Sequence, residues 1–231
     1  MVDLVAANLN DLRQDIAETC ARCGRKPDEV TILAVTKTHP VEVIKQAVSL
    51  GLSDIGESRM QEAEPKILEL GPIARYHLVG HLQTNKVKKS VQLFDVIQSI
   101  DSLRLAEEVN RRAGEVGRVL DCCIEINSSG EAQKYGVDPV AALELVKELK
   151  SLPHIRICGF MTVGPLTSDT GAIRGAFRTC RKLFEQARGL VGDQFSILSM
   201  GMSDDYRLAI EEGSTMVRIG TGLFGPRQCQ Q

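Results

Sequence analysis

Eight short apolar, β-branched runs recur along this chain, each separated from the next by a longer amphipathic stretch. That alternation constrains the fold more than any other feature, because period-2 and period-3.6 patterning in strict succession reads as a βα series. The spacing predicts strands over 30–35, 54–56, 75–79, 94–98, 120–126, 155–160, 196–199 and 216–219. It predicts helices over 41–49, 60–69, 84–91, 103–116, 139–149, 172–190 and 204–212. A further helix comes first and is stopped after Cys23 by Gly24 and Pro27. Eight strands with a helix between each pair fit an α/β (β/α)8 TIM barrel with an extra N-terminal helix. An open doubly wound sheet shares the same rhythm. The barrel is favoured because the strands reach eight and no Gly-x-Gly-x-x-Gly follows the first of them. No linker or low-complexity tract divides residues 1–231, so one domain is expected.

Bulk properties mainly exclude. With 43% hydrophobic residues in 231, the chain can bury one sizeable core. A net charge of −2 gives no general attraction to nucleic acid or to acidic membranes, and Lys86, Lys88 and Lys89 read as a solvated helix face. The opening residues lack the basic start and apolar stretch of a signal peptide, and no run is long and apolar enough to span a bilayer. Seven cysteines, an odd number scattered through regular elements, read as reduced thiols of a cytoplasmic protein.

In a (β/α)8 barrel the working residues stand where each strand runs into its following loop, so distant positions converge there. The first strand ends in Thr36-Lys37-Thr38. A lysine at that place is half inside a low-dielectric mouth, which disfavours the ammonium and makes the amine nucleophilic toward an aldehyde. A lysine snorkelling to solvent is the ordinary alternative. The seventh strand runs into Met200-Gly201-Met202-Ser203-Asp204-Asp205, where Gly201 allows close backbone approach and Ser203 can cap the next helix or donate to a phosphate. The eighth ends in Arg218-Ile219-Gly220-Thr221-Gly222. Alternation puts Met216 and Arg218 on one face, and if that face is interior the arginine needs a partner. Loops after the seventh and eighth strands frequently bind phosphate in such barrels. An amine, an anion cup and an arginine together meet the needs of pyridoxal 5′-phosphate.

The motifs at 33–38 (LAVTKT), 56–62 (GESRMQE), 77–86 (HLVGHLQTNK), 158–162 (CGFMT), 198–205 (LSMGMSDD) and 213–221 (GSTMVRIGT), closing with Phe224-Gly225, make the sequence resemble the pyridoxal-phosphate homeostasis protein family over almost its full length. The resemblance implies a barrel like the alanine racemase N-terminal domain, with the cofactor imine-linked to Lys37. It implies that Arg218 faces the pyridine nitrogen and that Ser203, Gly220 and Thr221 hold the phosphate. Ser58 and Met200 complete the expected cofactor-binding set. An arginine at the ring nitrogen would keep it unprotonated and weaken the ring as an electron sink. One position departs: the family usually has asparagine where this chain has Ser58, so a looser hold on the ring is expected.

What the resemblance implies is a carrier that binds, buffers and delivers the cofactor, and so maintains vitamin B6 and amino-acid and keto-acid balance. Its partners would be the cofactor itself and pyridoxal-phosphate-dependent apoenzymes, and the protein a monomer or weak dimer. The alternative is an amino-acid racemase, which needs a proton donor on each face of the substrate. Alanine racemases take a second base, a tyrosine, from an additional C-terminal domain, which is not expected here because the sequence ends about ten residues after the eighth strand. Of the three tyrosines, Tyr76 lies in a strand and Tyr135 and Tyr206 follow the fifth and seventh; Tyr135 could reach the mouth, and an exposed loop tyrosine is the ordinary reading.

Three other constellations carry less. Cys20 and Cys23 have half-zinc spacing without a second pair. His77 and His81 bracket a strand end and cannot share a helical face. Adjacent Cys122 and Cys123 alternate on a strand and read as core, while the role of Asn127-Ser128-Ser129-Gly130 is not legible.

Overall fold

The computed structural model describes residues 2–131 and 133–225. Its eight strands are β1 (Thr31–Val35), β2 (Asp54–Glu57), β3 (Arg75–Leu78), β4 (Val96–Ile100), β5 (Leu120–Glu125), β6 (Ile155–Met161), β7 (Ile197–Met202) and β8 (Met216–Ile219). All pair in parallel and in sequence order, and β8 returns to β1, so the sheet closes into the expected barrel. The helices α1 (Val2–Arg22), α2 (Val41–Ser49), α3 (Met60–Leu70), α4 (Val87–Leu93), α5 (Leu103–Glu115), α6 (Ala142–Leu149), α7 (Thr170–Val191), α8 (Tyr206–Glu211) and α9 (Thr221–Phe224) surround it.

Strand parity divides the barrel into two cores. Ile55, Leu78, Ile97, Cys122, Phe160, Leu198 and Val217 point outward and pack beneath the helices. On α7 the buried positions Ile173, Ala176, Phe177, Cys180, Phe184 and Ala187 repeat at helical spacing, forming the stripe that meets them. This helix starts where Asp169 Oδ1 accepts the amides of Gly171 (2.8 Å) and Ala172 (3.3 Å), and stops at Gly192, whose φ of 99° only glycine adopts readily. Phe160 and Phe195 meet edge to face at 5.0 Å between sheet and helix layer. Helix α1 lies over the seam, tied to it by Asn8 Nδ2 donating to the Leu223 carbonyl (2.9 Å) and by Asp15 receiving Tyr206 and Arg207.

Inward-pointing residues are far more polar. Asp54 Oδ1 lies 2.9 Å from His77 Nε2, and the other ring nitrogen lies 2.9 Å from Gln98 Nε2. Burial lowers the His77 pKa, so the ring is neutral and the triad holds no unpaired proton. Toward the N-terminal end, Asp121 receives both Arg75 and Arg156. The Cys123 and Cys158 thiols lie 3.6 Å apart in a small separate cluster with Met161. Cys122 faces out and Cys123 in, as alternation predicts, and the six described cysteines are free.

Element boundaries shift where a side chain competes with the backbone. The stretch expected as one helix from 84 opens with a 3-10 turn, Thr84–Lys86, before α4. Helix α6 begins at Ala142 because Asp138 Oδ1 takes the Val140 amide at 2.8 Å and holds the preceding residues in a turn. Likewise Asp205 Oδ1 takes the Met202 amide at 2.6 Å, so α8 starts at Tyr206. Ser203 is therefore not the helix cap that the sequence suggested. The basic run behaves as expected, with Lys89 paired to Glu64 at 2.8 Å on the surface. Among the described residues no helix is long and apolar enough to cross a membrane.

Truncating the outer core should be costly. Phe160→Ala is expected to lower the unfolding free energy by roughly 3–5 kcal/mol, read from chemical denaturation. A loss below about 1 kcal/mol would show that the helix layer collapses onto the gap.

Candidate functional site

The C-terminal mouth of the barrel opens into a cavity of about 400 Å³, lined by Val35, Lys37, His39, Ser58, Val79, Val163, Met202, Ser203, Asp204, Arg218, Gly220 and Thr221. Six of the seven residues singled out from the sequence meet there, drawn from the ends of β1, β2, β7 and β8. A larger cavity at the opposite, N-terminal end is lined by Arg25, Arg75, Arg156, Arg181 and Arg188 and by carboxylates, among them Glu29, Asp121 and Glu212, to which several of these arginines are paired. The two ends thus differ in kind: one balances its charges internally, the other presents an amine and a set of hydroxyls.

Lys37 follows the last residue of β1 by two positions and is half-buried. Thr38, the next residue, has φ of 67°, the one described non-glycine residue in the left-handed region. His39 turns its ring to Phe224 at 4.9 Å.

Arg218 is buried, as strand parity required. Its Nη1 donates to the Ser199 carbonyl (2.7 Å) and hydroxyl (2.9 Å), and its Nη2 to the Thr162 carbonyl (2.7 Å). Those neutral acceptors fix the guanidinium plane. Burial pulls its pKa down, and the charges of Asp205 and Glu125 oppose that pull. Glu125, at the inward end of β5, is pushed up by burial to about 7, with Arg218 restraining the rise. Sequence reading missed this carboxyl, though the parity that places Cys123 inside places Glu125 inside too.

Ser203 Oγ accepts the Gly222 amide at 3.1 Å and so stitches the loop after β7 to the loop after β8. A Cβ on Gly222 would sit 3.4 Å from that same oxygen, and one on Gly220 would sit 3.4 Å from the Val35 carbonyl. Both are ordinary van der Waals distances, so what the two glycines show is how closely these loops pack, not that a methyl group is excluded. Gly201, at φ of 88°, has its Cβ position 2.6 Å from the Ala209 side chain, so its requirement comes from packing on α8.

Met200 is not brought to the cavity. Its side chain is fully buried in the outer core. The register of β7 against β8 slips between Ser199 and Met202, and this irregularity puts Met202, 41% exposed, on the lining instead. Tyr135 also stays off the lining. It stacks on His81 with ring centroids 3.8 Å apart and is 58% exposed, while His81 Nδ1 stands 3.5 Å from Asp101. The loop at 127–130, illegible in the sequence, is a brace: Ser128 Oγ lies 2.7 Å from Thr162 Oγ1, and Asn127 Nδ2 donates to the Glu131 carbonyl at 2.9 Å. The described residues contain no cluster that could hold a metal ion, and Cys23 Sγ turns back to the Thr19 carbonyl at 3.3 Å.

This fold and this mouth define a barrel of the alanine racemase N-terminal domain class, whose family profile matches residues 7–228. The chain belongs to that family and, within it, to the pyridoxal phosphate homeostasis proteins. It is 38% identical over 228 residues to the protein of that description from Pasteurella multocida, covering 96% of this chain and 97% of that one. Identity to the Escherichia coli K12 protein of the same description is also 38%, over 229 residues, with the same coverage. Among solved structures, PipY of Synechococcus elongatus with pyridoxal phosphate bound superposes with a TM-score of 0.82 at 35% identity, covering 96% of this chain and 100% of that one. An alanine racemase from Clostridium difficile shares the fold at 18% identity, with a TM-score of 0.79, and this chain spans 58% of its length.

Glu125 provides a direct test of the site's electrostatics. Its folded-state pKa lies above the ordinary value of 4.5, so the folded protein holds the proton more tightly than the unfolded chain. Its contribution is therefore fully present at low pH and is lost as pH rises toward about 7. Glu125→Gln should gain on the wild type across that window, by up to roughly 3 kcal/mol, in denaturant midpoints measured at several pH values. Parallel stability curves for the two proteins would contradict this.

Proposed function

We propose that this protein binds pyridoxal 5′-phosphate at the barrel mouth through Lys37, and carries or buffers the cofactor rather than racemising amino acids. The observation that carries this reading is the convergence of Lys37, Arg218, Ser203 and Thr221 on one cavity of about 400 Å³. That volume suits a small cofactor. The residues fit the group chemically as well: an amine for its aldehyde, hydroxyls and close-set glycine backbone for its phosphate, and a guanidinium for its ring. Family membership, and the cofactor named in the PipY structure, support the same assignment.

Pyridoxal phosphate supplies an aldehyde that condenses with a primary amine and a ring that can withdraw electrons. Lys37 is the residue to hold the aldehyde carbon, because its loop projects from β1 into the cavity. Ser203, Gly220 and Thr221 are the residues to hold the phosphate. The Ser203–Gly222 bond keeps their two loops together. Arg218, gripped by Ser199 and Thr162, cannot supply a proton to a ring nitrogen as a carboxylic acid could, so a ring facing it is a weak electron sink. Ser58 lines the cavity with a short hydroxyl, which makes for a looser contact than a longer amide side chain would give.

A carrier needs reversible attachment and no proton relay. The relay is what the geometry leaves thin: Tyr135, the local tyrosine that could have served a second face, is stacked on His81 at the rim. The recipients this reading implies are apoenzymes that use the same cofactor. The two readings separate in heavy water. The cofactor-loaded protein incubated with alanine should give no sustained deuteration at the α-carbon and no conversion between enantiomers, followed by NMR and chiral chromatography. Continuing turnover of either kind would overturn the carrier reading.

A further inference from the structure

The loop that carries Lys37 is held from outside the cavity. The peptide unit before Lys37 ends in the Thr36 carbonyl, which accepts a hydrogen bond from Lys66 Nζ at 2.9 Å. The peptide unit after it carries the Thr38 amide, which donates to Glu62 Oε2 at 3.0 Å. Glu62 and Lys66 stand one turn apart on α3 and so share a face of that helix. Neither lines the cavity.

A third residue ties the arrangement to the barrel wall. Glu57, the last residue of β2, accepts Lys66 Nζ at 2.9 Å and the Thr36 hydroxyl at 2.8 Å through a single oxygen, Oε1. Glu57 and Thr36 are fully shielded from water, and the Lys66 side chain nearly so. Burial raises the Glu57 pKa, and Lys66 and Thr36 pull it back. The Thr36 carbonyl also accepts the His39 amide at 3.1 Å, closing a tight turn around Lys37. Thr38 occupies the left-handed region inside that turn, a conformation that persists in a threonine only where surroundings impose it.

We propose that Glu62 and Lys66, with Glu57 behind them, are positioning residues that clamp both peptide units flanking Lys37 and so aim its amine at the cofactor's aldehyde carbon. The inference rests on the cofactor reading above. Fixing the dihedral angles on either side of the lysine Cα reduces the directions its side chain can sample. A pre-aimed amine reacts with a bound aldehyde as part of one assembly, whereas a loosely held one must search. The clamp lies on the outer side of the loop, away from the phosphate and ring contacts. It should therefore govern bond formation and leave non-covalent binding alone.

The test compares wild type with Glu62→Ala, Glu62→Gln, Lys66→Met and Thr38→Gly. Two quantities are measured: the rate at which pyridoxal 5′-phosphate becomes covalently attached to Lys37, by rapid-mixing absorbance with reductive trapping, and affinity for pyridoxine 5′-phosphate, which lacks the aldehyde. Glu62→Ala should slow attachment by about tenfold while leaving pyridoxine 5′-phosphate affinity within about twofold, and Thr38→Gly, which keeps the amide donor and adopts the left-handed region freely, should stay within about twofold of the wild-type rate. Glu62→Gln keeps an acceptor oxygen and should restore most of the rate. Lys66→Met strips a buried carboxylate of its partner, so its thermal midpoint is followed alongside, and the two Glu62 variants decide the matter if it fails to fold. Attachment at the wild-type rate in Glu62→Ala would overturn the clamp and leave the cofactor reading intact. Equal losses of attachment and of pyridoxine 5′-phosphate affinity would reduce these residues to general support of the fold, and also overturn it. A wild-type protein that attaches no cofactor to Lys37 would instead bring down the cofactor reading, and the clamp with it.

Discussion

The closure of β8 onto β1 is the interaction on which the rest of the structure depends. Its ladder sets Leu33 beside Arg218 and Ala34 beside Ile219. Residues almost two hundred positions apart thereby share one wall, and Lys37 stands next to the Gly220–Thr221 segment. Without that pairing an open sheet would expose two edges and leave the amine at one side and the guanidinium at the other. With it, the period-2 alternation acquires an inside and an outside. Arg218, Glu125 and His77 are then buried because of parity, and each must find its partners within the barrel.

That interior is a polar one, and the kind of partner its groups find changes along the axis. At the N-terminal end Asp121 is shared by two arginines, and in the middle His77 is held between Asp54 and Gln98, whose Oε1 is left buried without a hydrogen-bond partner. Near the mouth the partners are mainly neutral. Arg218 leans on neutral carbonyls, with Glu125 and Asp205 acting on it through their charge. With Lys37, Arg218 and the hydroxyl residues Ser58, Ser203 and Thr221 lining one cavity, the mouth fits the anionic, carbonyl-bearing ligand proposed for it.

Much of this was legible in the sequence because two physical signals were strong. Apolar β-branched runs located all eight strands, and the rule that function gathers at strand ends then selected Lys37, Ser203, Arg218, Gly220 and Thr221 without any coordinates. What escaped was set by geometry that periodicity does not encode. Met200 shares the outward parity of Leu198 and so lies in the outer core, while a register slip between Ser199 and Met202 brings Met202 to the lining. Asp205 captured a backbone amide and so denied Ser203 the role of helix cap. Glu125 was hidden in an apolar strand, although counting alternate positions from Cys123 would have found it. The braces around the mouth, Ser128 to Thr162 and Glu62 to Thr38, are contacts between distant segments that no local pattern announces.

The account stands on Lys37 as the point of attachment. The most direct measurement is to load the purified protein with pyridoxal 5′-phosphate, reduce it with borohydride and map the modified peptide by mass spectrometry. The account predicts an absorbance band that disappears on reduction and a phosphopyridoxyl label on Lys37, lost in Lys37→Ala. A protein that stays colourless and unlabelled in excess cofactor, or a label that falls on another lysine and survives Lys37→Ala, would contradict it.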